Sequence, residues 1–201
     1  ASNFVQGRPN DRIGIVVYAA ESYTKTPVTS DKGIVQDAIL SIKYDNVLQD
    51  GTGIGMGLTT AINRLKDSKA KSKVIILLTD GVNNAGFIEP ETASQIAKEY
   101  GIKVYTIGIG TNGMAEFPYA YAPNGNGFLF KMMPVEIDQE LMKTIAKNTG
   151  GKYFRASSNS KLEEIYNEIN KLETTEIEEL KFYDYDEKYR PFVWIAGILV
   201  L

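Results

Sequence analysis

The stretch Lys73-Val-Ile-Ile-Leu-Leu-Thr-Asp-Gly81 decides the fold of this chain. Residues 74–79 are mostly apolar, a pattern that predicts a strand buried on both faces in the middle of a parallel sheet. The strand ends abruptly at Asp80-Gly81, which places a carboxylate at its carboxyl end. Open α/β sheets bind their ligands at that edge, so Asp80 is a strong candidate for a hard-cation ligand.

The composition excludes several classes of function. The chain has 201 residues, with 22 basic and 25 acidic side chains and a net charge of −3, so it has no basic field to attract nucleic acid. It contains no cysteine and no histidine, which excludes disulfides, Ser-His-Asp and Cys-His mechanisms and the usual zinc sites. Acid–base catalysis would depend on carboxylates, lysine or tyrosine.

Strands and helices alternate along the chain, which predicts an α/β fold with a mostly parallel sheet covered by helices on both faces. The predicted strands are residues 12–18, 23–28, 74–79, 103–109 and 152–155. The predicted helices are 31–42 capped by Asp31, 54–65, 91–100 closed by Gly101, 138–150 capped by Asp138, and 160–172 capped by Ser160.

Two further segments complete the organisation. Residues 111–134 are rich in Gly, Pro, Asn and aromatics, with a turn signal at Asn124-Gly-Asn-Gly127, and predict a hairpin on the ligand-binding edge or a surface loop. We divide the chain into a domain at 1–172, an acidic and aromatic connector at 173–191, and the start of a transmembrane helix at 192–201. This last apolar run is half the ~20 residues that a span needs, and a buried terminal strand or helix is the alternative.

Thr52 and Asp80 are the candidate metal ligands. Thr52 lies in Gln49-Asp-Gly-Thr-Gly53, just before a predicted helix, and Asp80 closes the buried strand. A hydroxyl and a carboxylate that meet at one sheet edge would suit Mg²⁺, which prefers oxygen ligands. The alternatives are local: Thr52 as a helix N-cap and Asp80 as the first residue of an Asx turn.

Three other patterns carry weaker signals. Gly108-Ile-Gly-Thr-Asn-Gly113 has the dinucleotide spacing, but no helix follows it, so we expect a turn instead. The pairs Glu163-Glu164 and Glu178-Glu179 are expected on solvated faces. Five tyrosines are candidates for a partner surface or a lipid headgroup layer: Tyr119, Tyr121, Tyr183, Tyr185 and Tyr189.

Five stretches together carry a family likeness. They are Asp11-Arg-Ile-Gly-Ile-Val-Val-Tyr18, Asp50-Gly-Thr-Gly-Ile-Gly55, Lys73–Gly81 as quoted above, Lys103-Val-Tyr-Thr-Ile-Gly-Ile-Gly110 and Thr149-Gly-Gly-Lys-Tyr-Phe154. In this combination the chain resembles a von Willebrand factor type A domain, and more narrowly the Bat-type, aerotolerance-associated membrane proteins of bacteria.

The resemblance implies a doubly wound sheet of order 3-2-1-4-5-6 and a metal-ion-dependent adhesion site, where a partner's carboxylate completes the coordination of Mg²⁺ or Mn²⁺. In that family most ligands come from Asp-x-Ser-x-Ser after the central first strand, a motif that this sequence lacks. Thr52 and Asp80 match two further ligands. We therefore expect the first strand and metal loop to be missing, weak metal binding, and another chain or the apolar tail in the vacant strand position.

We thus expect a non-enzymatic protein-binding module, tethered to a bacterial inner membrane with the domain on the periplasmic side. The implied role is envelope stress, aerotolerance or complex assembly. The implied partner is a protein that offers a carboxylate, examples being other Bat-type proteins or a MoxR-type AAA+ ATPase. We expect no nucleic-acid partner. The alternatives are an α/β enzyme that uses Asp80 and Mg²⁺ for phosphoryl transfer, and a structural scaffold that assembles through the sheet edge or the tail with no metal role.

Overall fold

The fold was analysed in a computed structural model that describes residues 2–42, 50–110, 113–121, 128–135 and 137–178. Seven strands lie in these ranges: β1 Ile13–Tyr18, β2 Ser22–Thr29, β3 Val74–Thr79, β4 Lys103–Ile109, β5 Gly113–Tyr121, β6 Phe128–Val135 and β7 Tyr153–Ala156. Six helices accompany them: α1 Ser2–Gln6, α2 Lys32–Leu40, α3 Ile54–Leu65, α4 Pro90–Glu99, α5 Gln139–Asn148 and α6 Asn159–Glu178.

The strands form three sheets. β3, β4 and β7 make a parallel sheet with β4 in the middle, in a register that sets Val74 opposite Lys103. β1 and β2 form an antiparallel pair, and β5 and β6 form the hairpin expected within residues 111–134. The predicted α/β class with a parallel sheet flanked by helices is confirmed, and the predicted bounds of β3, β4 and α3 are reproduced.

β1 and β3 lie in different sheets, and no described strand pairs with the second edge of either. The Tyr18 hydroxyl nevertheless donates a hydrogen bond of 2.6 Å to the Leu78 carbonyl oxygen, so the carboxyl ends of β1 and β3 face the same way. The family order implies a further strand position between these two sheets. The apolar tail expected to fill it lies outside the described residues, and that hypothesis stays a prediction.

The expectation that β3 is buried on both faces is wrong. Ile75, Leu77 and Thr79 are buried, whereas Val74, Ile76 and Leu78 are half-buried. Successive side chains of a strand point to opposite faces, and the first set packs against the core that α3, α4 and α5 supply. β3 is the edge strand of its sheet, on the side of β1. The side chains on its second face therefore have fewer neighbours than those of a central strand.

Two of the three predicted helix caps are confirmed. The Asp31 carboxylate accepts a hydrogen bond of 3.2 Å from the Ile34 N–H, and Asp138 accepts one of 3.0 Å from the Leu141 N–H. Ser160 is not a cap, because α6 begins one residue earlier and the Ser158 hydroxyl accepts from Lys161 instead.

Glycines end elements where the sequence indicated. Gly101 and Gly150 have φ values of +63° and +76°, the left-handed conformation that closes helices. Gly110 has φ of +110°, and β5 follows it rather than a helix. Gly110 therefore follows the end of β4 with a backbone conformation that favours glycine, and no helix begins there, as expected.

The chain divides within α6 into one unit at 1–168 and a second at 169–201. α6 continues to Glu178, so the first residues of the predicted connector are helical. The rest of the connector, the apolar segment 192–201 and the turn at 124–127 lie outside the described residues. Among the helices that the structure describes, none is long and apolar enough to cross a bilayer.

The glycines of α3 allow its backbone to approach its neighbours closely. A Cβ at Gly53 would lie 2.8 Å from the Ala20 carbonyl oxygen, and one at Gly57 would lie 2.7 Å from the Tyr18 ring. A Cβ at Gly55 would lie 1.9 Å from the carbonyl oxygen of Ile88, in the loop after β3. This close approach fixes where that loop runs.

We expect Gly55→Ala to lower the free energy of unfolding by about 2–4 kcal/mol, because the new methyl group must displace backbone rather than a flexible side chain. Gly7→Ala is the matched control, since its Cβ would meet nothing closer than 3.6 Å. Urea unfolding followed by circular dichroism measures both. A loss at Gly55 no larger than at Gly7 would contradict the close approach.

Candidate functional site

Four segments meet at the carboxyl ends of β1 and β3, and we call them the rim: residues 19–22, 50–53, 80–91 and 137–140. Hydrogen bonds or close contacts join the first three, because the Gly53 N–H donates to the Ala19 carbonyl and the Ala85 N–H to the Thr52 carbonyl. The fourth shares an open cleft with Val82.

The structure brings Thr52 and Asp80 to this same rim. The Thr52 hydroxyl oxygen lies 3.2 Å from the point where a side chain on Gly81 would begin, directly after Asp80. Thr52 is half-buried and Asp80 is exposed. The Thr52 hydroxyl therefore lies beside the residue that follows Asp80, and the role of Thr52 and Asp80 as metal ligands stays a prediction.

Other residues make the local contacts that were the alternatives for Thr52 and Asp80, namely the helix N-cap and the turn after β3. α3 has Gly53 at its N-cap without a side-chain cap, and the Ile54 N–H donates instead to the Asn83 side-chain oxygen at 2.9 Å. In the turn after β3, the Gly81 N–H donates to the Thr79 hydroxyl at 3.3 Å. The Thr52 hydroxyl and the Asp80 carboxylate are thus not needed for these turns.

Two asparagines join the Thr52 loop and the start of α3 to the loop after β3 through hydrogen bonds. The Thr52 N–H donates to the side-chain oxygen of Asn84 at 2.8 Å, and the Thr52 carbonyl accepts from the Asn84 N–H at 3.0 Å. Asn83 holds the first turn of α3, as described above. Neither asparagine was predicted as a site residue, because the string Asn83-Asn84 shortly after Asp-Gly indicates only a turn.

Tyr18 fixes the end of β3 just before Asp80, and it too was missed. Burial raises the pKa of the Tyr18 phenol to about 12, a shift that the Thr79 side chain reduces and the negative charge of Asp80 increases. The phenol therefore stays neutral over the physiological range and keeps its hydrogen bond to the Leu78 carbonyl. An aromatic residue at the end of an apolar strand indicates core packing, so the sequence alone does not indicate the hydrogen bond of its hydroxyl.

The donor set tests whether the rim fits a divalent cation. Mg²⁺ takes six oxygen ligands in near-octahedral geometry and keeps several waters. Thr52 and Asp80 are hard oxygen donors, but together they bring one negative charge. No group of three or more Asp, Glu, His or Cys residues within the described ranges is arranged to hold a metal. The residues present therefore fit part of a cation site and not a whole one.

The remaining candidates from the sequence are placed as follows. Glu163 and Glu164 are exposed, and they bond to Asn3 and Lys161 respectively, which confirms a solvated face. The side chain of Glu178, the whole of Glu179 and the side chains of the five candidate tyrosines lie outside the described residues.

Comparisons with known proteins identify a matching family model and related sequences. A model of the von Willebrand factor type A domain matches residues 1–168. A protein of Borreliella burgdorferi is 27% identical over 198 residues, covering 98% of this chain and 57% of that protein. The chain thus spans little more than half the length of this relative.

Three solved structures resemble the fold. BatB from Bacteroides thetaiotaomicron has a TM-score of 0.70 and 27% identity, over 86% of this chain and 84% of that one. An aerotolerance-related membrane protein from Bacteroides fragilis has a TM-score of 0.69 and 26% identity, over 85% and 82%. Proximal thread matrix protein 1 from the mussel byssus, solved with a zinc-occupied MIDAS motif, has a TM-score of 0.60 and 25% identity, over 85% and 39%.

We expect Asn84→Ala to loosen the Thr52 loop selectively. The variant removes the acceptor of the Thr52 N–H, at about 1 kcal/mol, so amide hydrogen exchange at Thr52 should accelerate about five-fold or more. NMR-detected exchange measures this, with Asn63→Ala as the control because Asn63 is exposed on α3. Equal exchange rates at Thr52 in the two variants would argue against the hydrogen bond between Thr52 and the Asn84 side chain.

Stability should fall between pH 10 and 12 because of Tyr18. The unfolded phenol ionises near pH 10 and the folded one near pH 12, so the folded state binds the extra proton in this window. The contribution of the neutral Tyr18 phenol to the free energy of unfolding is complete below pH 10. It falls by about 2 kcal/mol as the pH rises to 12. Urea unfolding at pH 9 and 11.5 should show a steeper loss in the wild type than in Tyr18→Phe; parallel losses would refute the shift.

Proposed function

The chain belongs to the von Willebrand factor type A domain family, and on that premise we propose that it is a non-enzymatic protein-binding module. Its binding surface is the rim, where Thr52 and Asp80 form part of a metal-ion-dependent adhesion site. The observation that supports this most is the closeness of the Thr52 hydroxyl to Gly81, the residue after Asp80, combined with the assignment of the local capping and turn contacts to Asn83 and Thr79.

The cation in this proposal is Mg²⁺ or Mn²⁺. Thr52 would ligate it through its hydroxyl and Asp80 directly or through water, and ligands other than these two residues would fill the remaining positions. The mussel structure, with zinc in its MIDAS motif, supports a metal role for this kind of rim. A bound cation would supply an open coordination position for a partner's carboxylate.

The proposed partner is a protein that presents such a carboxylate, either another Bat-type protein or a MoxR-type AAA+ ATPase. The proposed location is a bacterial inner membrane, with the domain on the periplasmic side. The similarity to BatB and to an aerotolerance-related membrane protein supports a membrane-associated role in envelope stress, aerotolerance or complex assembly.

The residue types at the rim favour binding over catalysis. Phosphoryl transfer depends on positive groups that stabilise the charge of the transferred phosphoryl group. The four rim segments contain no lysine, arginine or histidine, so Asp80 has no basic side chain from these segments to work with. The same segments offer hydroxyl, carboxylate and amide oxygens, which hold cations.

For this chain alone we expect 5 mM Mg²⁺ to change the melting temperature by less than about 1 °C. Stabilisation by a ligand follows RT ln(1 + [L]/Kd), and two ligands with one charge imply a Kd well above 5 mM. Differential scanning fluorimetry with and without EDTA measures the shift. A shift of several degrees that disappears in Asp80→Ala would show that the two residues bind the cation without further help.

A further inference from the structure

We propose that the rim carries a second recognition element, centred on Phe87, that binds a basic and apolar segment of a partner protein without needing a cation. The inference goes beyond the proposed function, because it assigns a contact of different chemistry to a residue outside the cation site. Two independent observations carry it: the display of the Phe87 ring and the charge of the surface around it.

The Phe87 side chain is 85% exposed although its backbone is held on both sides. Gly86 has φ of +83° and packs so closely on α3 that a Cβ there would lie 2.7 Å from Met56 Cγ. On the other side, the Ile88 carbonyl rests on Gly55, as described above. Two close contacts with α3 thus flank the residue and direct its ring into water.

A rigidly displayed aromatic ring is well suited to binding. Aromatic side chains are enriched in protein interfaces, and a loop already fixed in place loses little conformational freedom when a partner binds. Val82, on the same loop, is 37% exposed and lines the open cleft with Ile137, so further apolar surface lies along this loop.

The charge of the rim selects the partner. The rim segments contain seven carboxylates and no basic side chain, and the acids are Glu21, Asp50, Asp80, Glu89, Glu91, Asp138 and Glu140. The whole chain carries −3, so the rest of it together carries +4. Glu140 pairs with Lys143 and Asp138 caps α5, while Asp80, Glu89 and Glu91 are exposed around the loop that presents Phe87.

An acidic surface attracts cationic groups and repels anionic ones. A segment in which lysine or arginine residues alternate with apolar ones would satisfy both the acids and the ring. The same basic residues would offset the repulsion that any partner carboxylate meets as it approaches the rim. The two recognition elements are therefore compatible in one partner.

The test uses peptides as probes. A phage-displayed library of random 12-residue peptides is selected on the immobilised full chain in EDTA and low salt, and enriched peptides are then synthesised. Fluorescence anisotropy gives their affinity for the wild type, Phe87→Ser, Glu89→Lys and the control Tyr100→Ser. Tyr100 is an aromatic residue, 43% exposed, at the far end of α4 from the rim.

We expect selected peptides rich in Lys or Arg and apolar residues. They should bind Phe87→Ser at least ten-fold and Glu89→Lys at least three-fold more weakly than the wild type, bind Tyr100→Ser equally well, and weaken as salt rises from 50 to 300 mM. Because Phe87 is exposed, Phe87→Ser should keep the wild-type melting temperature, and Glu89→Lys gives an independent result if it does not.

Several results would overturn the proposal: no enrichment, selection of acidic peptides, or binding that is indifferent to Phe87 and Glu89. Self-association of the wild type that is lost in Phe87→Ser would assign the surface to a second copy of the chain instead. Asp80→Asn separates this inference from the proposed cation site. Peptide binding that persists in Asp80→Asn while Mg²⁺ has no effect on the intact protein would mean that the cation site fails and the Phe87 element stands.

Discussion

The close approach of α3 to the loop after β3 is the constraint on which the binding surface depends. Without side chains at Gly53 and Gly55, the first turn of the helix can lie directly against Ala20 and Ile88. That contact sets Thr52 beside Gly81 and leaves Asn83 and Asn84 within hydrogen-bonding distance of the helix start. The absence of side chains at Gly53 and Gly55 thereby positions both the Thr52 loop and the loop after β3.

The sequence predicted what depends on local pattern. The run Val74–Thr79 is bounded by a lysine and by Asp-Gly, so its bounds were readable, and Thr52 and Asp80 were placed at one edge because strand direction follows from the alternation of strands and helices. The half-burial of Ile76 and Leu78 could not be predicted, since it depends on which strands are neighbours in space. Asn83 and Asn84 were missed because their partners lie about 30 residues earlier in the chain.

Electrostatics connects the two proposed contacts. Seven carboxylates in the rim segments would raise the local concentration of cations of every kind, whether a divalent metal or a lysine side chain. A metal bound near Asp80 would reduce this negative potential and make the approach of a partner's carboxylate easier. Occupancy by the metal and docking of a basic segment therefore both neutralise the same surface charge.

The hydrogen bond from Tyr18 to the Leu78 carbonyl has a consequence for how the domain opens. Among the described residues the β1–β2 pair and the β3–β4–β7 sheet share no ladder of backbone hydrogen bonds. The contacts between these two halves include α3, this phenol and the side chains of Asn3 and Phe4 against α6, whereas a continuous sheet would provide a whole row of backbone hydrogen bonds. We expect local unfolding to begin along the seam between β1 and β3, because fewer hydrogen bonds cross it than cross a continuous sheet.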